Sequence, residues 1–279
     1  MHVVCVANQK GGVGKTTTSL SLAASLAAQG RRVLALDLDP QGNFSAGLGL
    51  PEGVGDGPTL YEVLTGPTSL VDAARGVGIA GLESLRVGRA GPRLAQAEAE
   101  LLGQVGFDEV LKHKLRAARG AFDVAVIDCP PSLGALTINA VGAADLVVAP
   151  VQCEFFSARG VVKLMQVIEL VRERRNPALQ LRLVPSLYDG RNNICRAVLA
   201  QLTKEFPGEV SAVTIGVDTR VRESQARGLP VSIYAPRCRA SRAYAELADE
   251  ITDLFAAPSA AEESAHTVGA QGGLHVQAA

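Results

Sequence analysis

An eight-residue stretch, KGGVGKTT at positions 10–17, constrains this chain more than any other feature. It follows an apolar run from Val3 to Ala7 that reads as a buried strand. It opens an Ala/Leu/Ser-rich segment that reads as a helix to about Gln29. Strand, glycine-rich turn and helix in that order build a phosphate cradle. Gly11, Gly12, Val13 and Gly14 bring backbone N–H groups together, and the helix N-terminus adds partial positive charge. Lys15 reaches the β- and γ-phosphates of a bound ATP or ADP, and the Thr16 hydroxyl, with Thr17 beside it, is placed for Mg²⁺.

Downstream, apolar runs alternate with amphipathic segments, which predicts an α/β fold with a mostly parallel sheet covered by helices on both faces. Strands are expected at Arg32 to Leu38, within Gly76 to Val87, and at Phe122 to Ile127, Asp145 to Val151, Leu181 to Leu187 and Val210 to Val217. Helices are expected at Tyr61 to Leu64, Leu70 to Ala74, Leu94 to Gln104, Phe107 to Arg119, Leu136 to Ala144, Val161 to Arg175, Ile194 to Phe206 and Ala240 to Ala257. Residues 47–58 read as loop. One domain is expected over 1–257, followed by a small, polar, disordered tail over 258–279.

Two strands end in carboxylates, where open α/β sheets bind their ligands. Arg32 to Leu38 delivers Asp37 and Asp39, and FDVAVI at 122–127 ends in Asp128. A carboxylate at the tip of a hydrophobic strand is the Walker B arrangement, which orients Mg²⁺ through a bound water; alone, such a residue equally caps the next turn.

Composition narrows the remaining classes. Five scattered cysteines form no C-x-x-C pair, and the four histidines show no ligand spacing, so neither a disulfide framework nor a structural zinc site is suggested and a reducing cytosol fits. No apolar run approaches the roughly 18 residues of a membrane span. The chain enters its first strand within a few residues, so no secretory signal is expected.

The lysine heading the loop, Lys10, departs from the ordinary P-loop pattern. With ANQKGGVGKTTT (7–18), LDLDPQGN (36–43), VIDCPPSLG (126–134), PVQCEFFSARG (150–160), YDGRNN (188–193) and TRVRESQARGLPV (219–231), it makes the sequence resemble the ParA/Soj partition ATPases, of the deviant Walker A group. The resemblance runs from about Val3 to Phe255. It implies a homodimer closed around two ATP molecules, with Lys10 of each copy reaching the other's nucleotide, where a second cation offsets charge building on the phosphates. Otherwise Lys10 is a solvated surface lysine. Asp39 would position the attacking water, or else serves as a turn aspartate bonding the N–H of Gln41 or Gly42. Asp37 takes a structural role. With one water-orienting carboxylate and no guanidinium beside it, hydrolysis would be slow, which suits a switch. Where the family flanks adenine with Pro-Arg-Asn, this chain has Gly216, Val217 and Asp218, and Asp218 either accepts from an exocyclic amine or is a turn aspartate.

Net charge is −1, yet Arg172 through Arg242 holds thirteen Lys/Arg against six Asp/Glu. Such a stripe is either a solvated face or a footprint for phosphate backbone. The resemblance assigns Arg191 and Arg220, with Arg222 a weaker third, to nonspecific double-stranded DNA. No helix-turn-helix precedes the loop, so backbone contacts would position without specifying.

Three functions compete at this point. The first is a nucleoid-associated cytoplasmic segregation ATPase released from DNA by a ParB-type partner. The second is a MinD-like membrane switch, which needs a basic amphipathic C-terminal helix, although no Lys or Arg follows Pro258. The third is an iron–sulfur relative, for which Cys129 and Cys153 are the cysteines near strand ends; each also suits a buried small-residue role.

Overall fold

The central strands are apolar on both faces, and this forces cover on both sides. In the computed structural model, which describes residues 1–50, 57–154 and 158–256, eight strands form one sheet. They are β1 (His2–Val6), β2 (Val33–Asp37), β3 (Arg75–Gly76), β4 (Leu85–Gly88), β5 (Val124–Asp128), β6 (Leu146–Gln152), β7 (Gln180–Tyr188) and β8 (Ile215–Gly216). Their order is β3-β4-β2-β5-β1-β6-β7-β8, parallel throughout except for the β3/β4 pair. β1 lies between β5 and β6, so the loop that leaves it emerges at the middle of the sheet.

Alternation along the strands builds two cores. Val3, Cys5, Leu34 and Leu36 point to one face, and Val4, Val6, Val33 and Ala35 to the other. Each fully buried Val or Leu stabilises the fold by roughly 1.5–3 kcal/mol. The first face is covered by α3 (Leu60–Thr65), α4 (Leu70–Ala73), α5 (Leu94–Leu102), α6 (Val110–Ala118), α7 (Ala135–Ala143), α8 (Ala158–Arg174) and α9 (Asn193–Glu205). The second carries α1 (Lys15–Ala28), α2 (Asn43–Ala46), α10 (Thr219–Ala226), α11 (Val231–Tyr234) and α12 (Arg239–Ala256).

Small side chains explain how α1 is buried on nearly every side. Its Ala and Ser residues let it sit close to the sheet while α12 lies over its outer surface with Tyr244, Leu247, Ala248 and Ile251 inward. The phosphate loop is thereby anchored on a helix packed on both its inner and outer sides.

Most expected elements are present, with three differences. The strand expected at Val210 to Val217 shrinks to Ile215–Gly216 plus a single bridge from Leu183 to Val210. A register shift between Ser186 and Tyr188, with Leu187 at φ 50°, interrupts the ladder there. The region from Gly76 to Val87 folds as an antiparallel pair, turning through Gly78 and Gly81 at positive φ. Helices α2, α10 and α11 were not expected; α10 carries Arg220 and Arg222, and its polar sequence hides any apolar stripe. The tail over 258–279 and residues 51–56 of the expected loop lie outside the described residues. No described helix is long and apolar enough to cross a membrane.

Candidate functional site

The turn from β1 to α1 depends on its glycines for conformation. Gly12 and Gly14 adopt φ of 76° and 93°, which side chains disfavour, and a Cβ built at Gly11, Gly12 or Gly14 would meet no atom of the described residues within 4 Å. The glycines therefore line an open cradle at the N-terminus of α1. Val13 faces inward, 1% exposed, and its carbonyl accepts the Ser186 hydroxyl at 2.8 Å, tying the loop to β7.

Lys15 is only 7% exposed, and its Nζ donates to the Lys10 carbonyl at 3.1 Å. Burial lowers its pKa, an effect opposed by the carboxylates of Asp128 and Asp39. An ammonium held this way faces a cavity of about 570 Å³ with Thr16 and Thr17, opposite Asp39, Gln41 and Asn43. Gln225 of α10 closes a third side, and its Nε2 donates to Thr17 Oγ1 at 2.9 Å.

Asp37 and Asp128 are in register on the neighbouring strands β2 and β5, and both are fully buried. Asp128 Oδ1 accepts from Ser19 Oγ at 2.7 Å, and Asp37 Oδ2 accepts the Ser45 N–H and hydroxyl at 2.9 and 2.7 Å. Burial first, then the proximity of Asp37, pushes the Asp128 pKa up to about 7, although the Ser19 hydrogen bond and the nearby Thr16 hydroxyl favour the carboxylate. Asp37 is raised to about 6, again mainly by burial. Their remaining oxygens, Asp128 Oδ2 and Asp37 Oδ1, have no hydrogen-bond partner among the described residues. Buried acceptors left without donors are costly. Anionic oxygens beside a threonine hydroxyl are the donor set a hydrated Mg²⁺ takes, so the residues present fit that ion.

Asp39, 6% exposed, accepts the Gln41 N–H at 3.0 Å, and its carbonyl accepts Gly42 N–H at 2.9 Å. The turn role and a place on the cavity wall thus coexist in one residue. Lys10 turns away from that wall. Its Nζ lies 3.3 Å from Gln152 Oε1 and 3.2 Å from Glu154 Oε2 at the end of β6.

Asp218 lies outside the phosphate cavity. It caps α10, accepting the N–H groups of Arg220 at 3.0 Å and Ala240 at 3.3 Å. Burial would raise its pKa, but these hydrogen bonds outweigh it and the pKa is lowered. Together with Tyr188, Arg191 and Arg239 it lines a separate depression of about 410 Å³. Arg191 is 92% exposed and pairs with Asp189 at 2.8 Å, which holds that carboxyl down to about 2. Arg220 is exposed beside Glu223 at 3.6 Å, and Arg222 is exposed two residues on.

Sequence reasoning missed Gln152, Glu154, Ser19, Ser45 and Gln225. Only Ser19 left a local signal, one helical turn after Lys15. The cysteines are all reduced: Cys5 and Cys129 are buried with sulfurs 3.4 Å apart, and Cys195 donates to the buried Cys153 carbonyl at 3.3 Å. Cys238 alone is half-buried, beside Asp218 and the start of α12.

A glycine cradle on a buried helix, a lysine aimed into it and carboxylates at adjoining strand tips define a P-loop NTPase fold. The family described as AAA domain matches residues 1–181. The chromosome partitioning protein ParA of Caulobacter vibrioides is 42% identical over 254 residues, covering 90% of this chain and 94% of that protein. The sporulation initiation inhibitor protein Soj of Bacillus subtilis is 38% identical, covering 89% and 97%. The structure of Mycobacterium smegmatis cobyrinic acid a,c-diamide synthase with bound ADP and magnesium superposes with a TM-score of 0.79 at 37% identity, covering 92% of this chain and 96% of that one. This chain belongs to the ParA/Soj family of partitioning ATPases.

Proposed function

We propose that the chain is an ATP-dependent DNA-segregation switch. Two copies close around two ATP molecules, the closed pair binds duplex DNA through its arginines without reading sequence, and slow hydrolysis, stimulated by a ParB-type partner, releases it. The observation that carries this reading is the shared location of two groups on one half of the molecule. The phosphate cradle with its unpartnered Asp37 and Asp128 oxygens opens beside α10, and α10 presents Arg220 and Arg222 to solvent.

Each residue then has a task. The backbone N–H groups of residues 11–17 and the Lys15 ammonium bind the phosphates, with Thr16 and Asp128 holding Mg²⁺, the latter through water. Mg²⁺ supplies charge neutralisation on the β- and γ-phosphates. Asp39 orients the attacking water, its carboxylate fixed by the Gln41 N–H. Lys10 leaves Glu154 to reach the other copy's nucleotide. Because phosphoryl transfer depends on placement and charge, a site with one orienting carboxylate turns over slowly.

The test is gel filtration and duplex binding compared with ATP, with ADP and without nucleotide. Dimer formation and duplex binding confined to ATP support the reading. Equal binding in all three conditions, or a monomer with a non-hydrolysable analogue, removes it.

A further inference from the structure

We infer that Gln225 couples the basic helix α10 to the phosphate loop, through a hydrogen-bond relay that runs from its side-chain amide to the Thr17 hydroxyl. What α10 binds rests on the function proposed above; the relay itself does not.

Helix α10 is weakly held. Of its eight residues Ser224 is buried and Val221 is half-buried against the core, so apolar packing holds it through a single side chain. Backbone and polar contacts hold it in place. Asp218, which caps its start, also accepts the Ala240 N–H of α12 at 3.3 Å, and Tyr234 of α11 meets Glu223 at 3.1 Å. Past its end, Gly228 at φ 64° lies so near Gly49 that an added Cβ would come within 2.8 Å of the Gly49 Cα. Among the described residues, Gln225 to Thr17 at 2.9 Å is the side-chain hydrogen bond that joins α10 to the phosphate loop, across 208 positions of sequence.

The polarity of that bond matters. A hydroxyl has one proton to donate and lone pairs to accept. Since Gln225 Nε2 donates, Thr17 keeps its own proton for an anionic oxygen in the cavity. A hydroxyl that accepts on one side and donates on the other strengthens both bonds. Phosphate at Thr17 therefore tightens the grip of Gln225 and steadies α10, bringing Arg220 and Arg222 into fixed places. Linkage makes the effect reciprocal, so a polyanion on α10 favours nucleotide in the loop. Glutamate in place of Gln225 reverses the relay: the carboxylate would accept a hydrogen bond from the Thr17 hydroxyl and repel phosphate.

Two measurements on the full chain test this. Hydrogen exchange over residues 219–229, with and without Mg-ADP, reads the relay without DNA. The parent slows on nucleotide addition, and Gln225→Ala does not. Duplex affinity with and without a non-hydrolysable ATP analogue reads the coupling as a ratio, expected to fall about five-fold or more in Gln225→Ala. In Gln225→Glu, a near-isosteric change, nucleotide weakens rather than enhances the protection of α10. Parent-like exchange and an unchanged ratio in both variants would overturn the inference, as would a parent whose α10 ignores nucleotide. If nucleotide protects α10 but no duplex binds in any condition, the relay stands and the DNA-segregation reading falls.

Discussion

The ammonium of Lys10 lies 3.2 Å from a carboxylate oxygen of Glu154, so the lysine that heads the phosphate loop is tied to the end of β6 in its own chain. Both partners are substantially solvated, and pairs of this kind contribute about 0.2–1 kcal/mol. The tie is thus strong enough to bias where Lys10 points and weak enough to release it. Glu154→Ala is expected to lower the ATP concentration needed for dimer formation, by up to about five-fold, with little change in melting temperature. Sedimentation across an ATP titration measures this; an unchanged midpoint would mean that the pair restrains nothing.

Asp39→Ala should leave a chain that binds ATP and dimerises but turns over about 100-fold more slowly or worse, because only water placement is lost. Phosphate release under single-turnover conditions is the measurement. Parent-like release would remove Asp39 from the mechanism and leave it as a turn residue.

Reversing two exposed charges tests the proposed DNA face. Arg191→Glu combined with Arg220→Glu should abolish co-sedimentation with duplex DNA in ATP while dimerisation persists, since neither side chain is buried. Parent binding itself should weaken steeply with added salt. Loss of dimer and duplex together would show that these arginines support the fold.

The buried pair Asp37 and Asp128 gives a pH dependence of definite sign. Their folded-state pKa values, about 6 and about 7, exceed the ordinary carboxylate value, so between about pH 5 and 7 this pair holds more protons in the folded chain than in the unfolded one. The pair's contribution to stability then falls as pH rises through that window. Without nucleotide or magnesium, melting temperature is expected to drop by roughly 3 °C or more between pH 5 and 7.5. Asp128→Asn should flatten that slope, which calorimetry across pH can check. A variant as pH-sensitive as the parent would locate the effect elsewhere.

Sequence carried the sheet because its strands are apolar on both faces, and it carried the cradle because glycine, lysine and threonine sit at fixed offsets. Asp37, Asp39 and Asp128 were legible for the same reason, each standing at the end of an apolar run. The partners of those groups were not. Gln152 and Glu154 lie 142 and 144 positions from Lys10, and Gln225 lies 208 from Thr17, distances over which spacing conveys nothing. Helix α10 escaped for a different reason. Its single apolar side chain facing the core, Val221, makes no stripe, and its readable signs were Asp218 as a cap and Gly228 beyond its end.

Four of the five thiols are shut inside the protein, and the fifth, Cys238, stands beside the residue that caps α10. The wild-type chain thereby carries its own attachment point for a maleimide dye. A fluorophore placed there would watch that helix respond to ligands in real time, with no engineered cysteine needed.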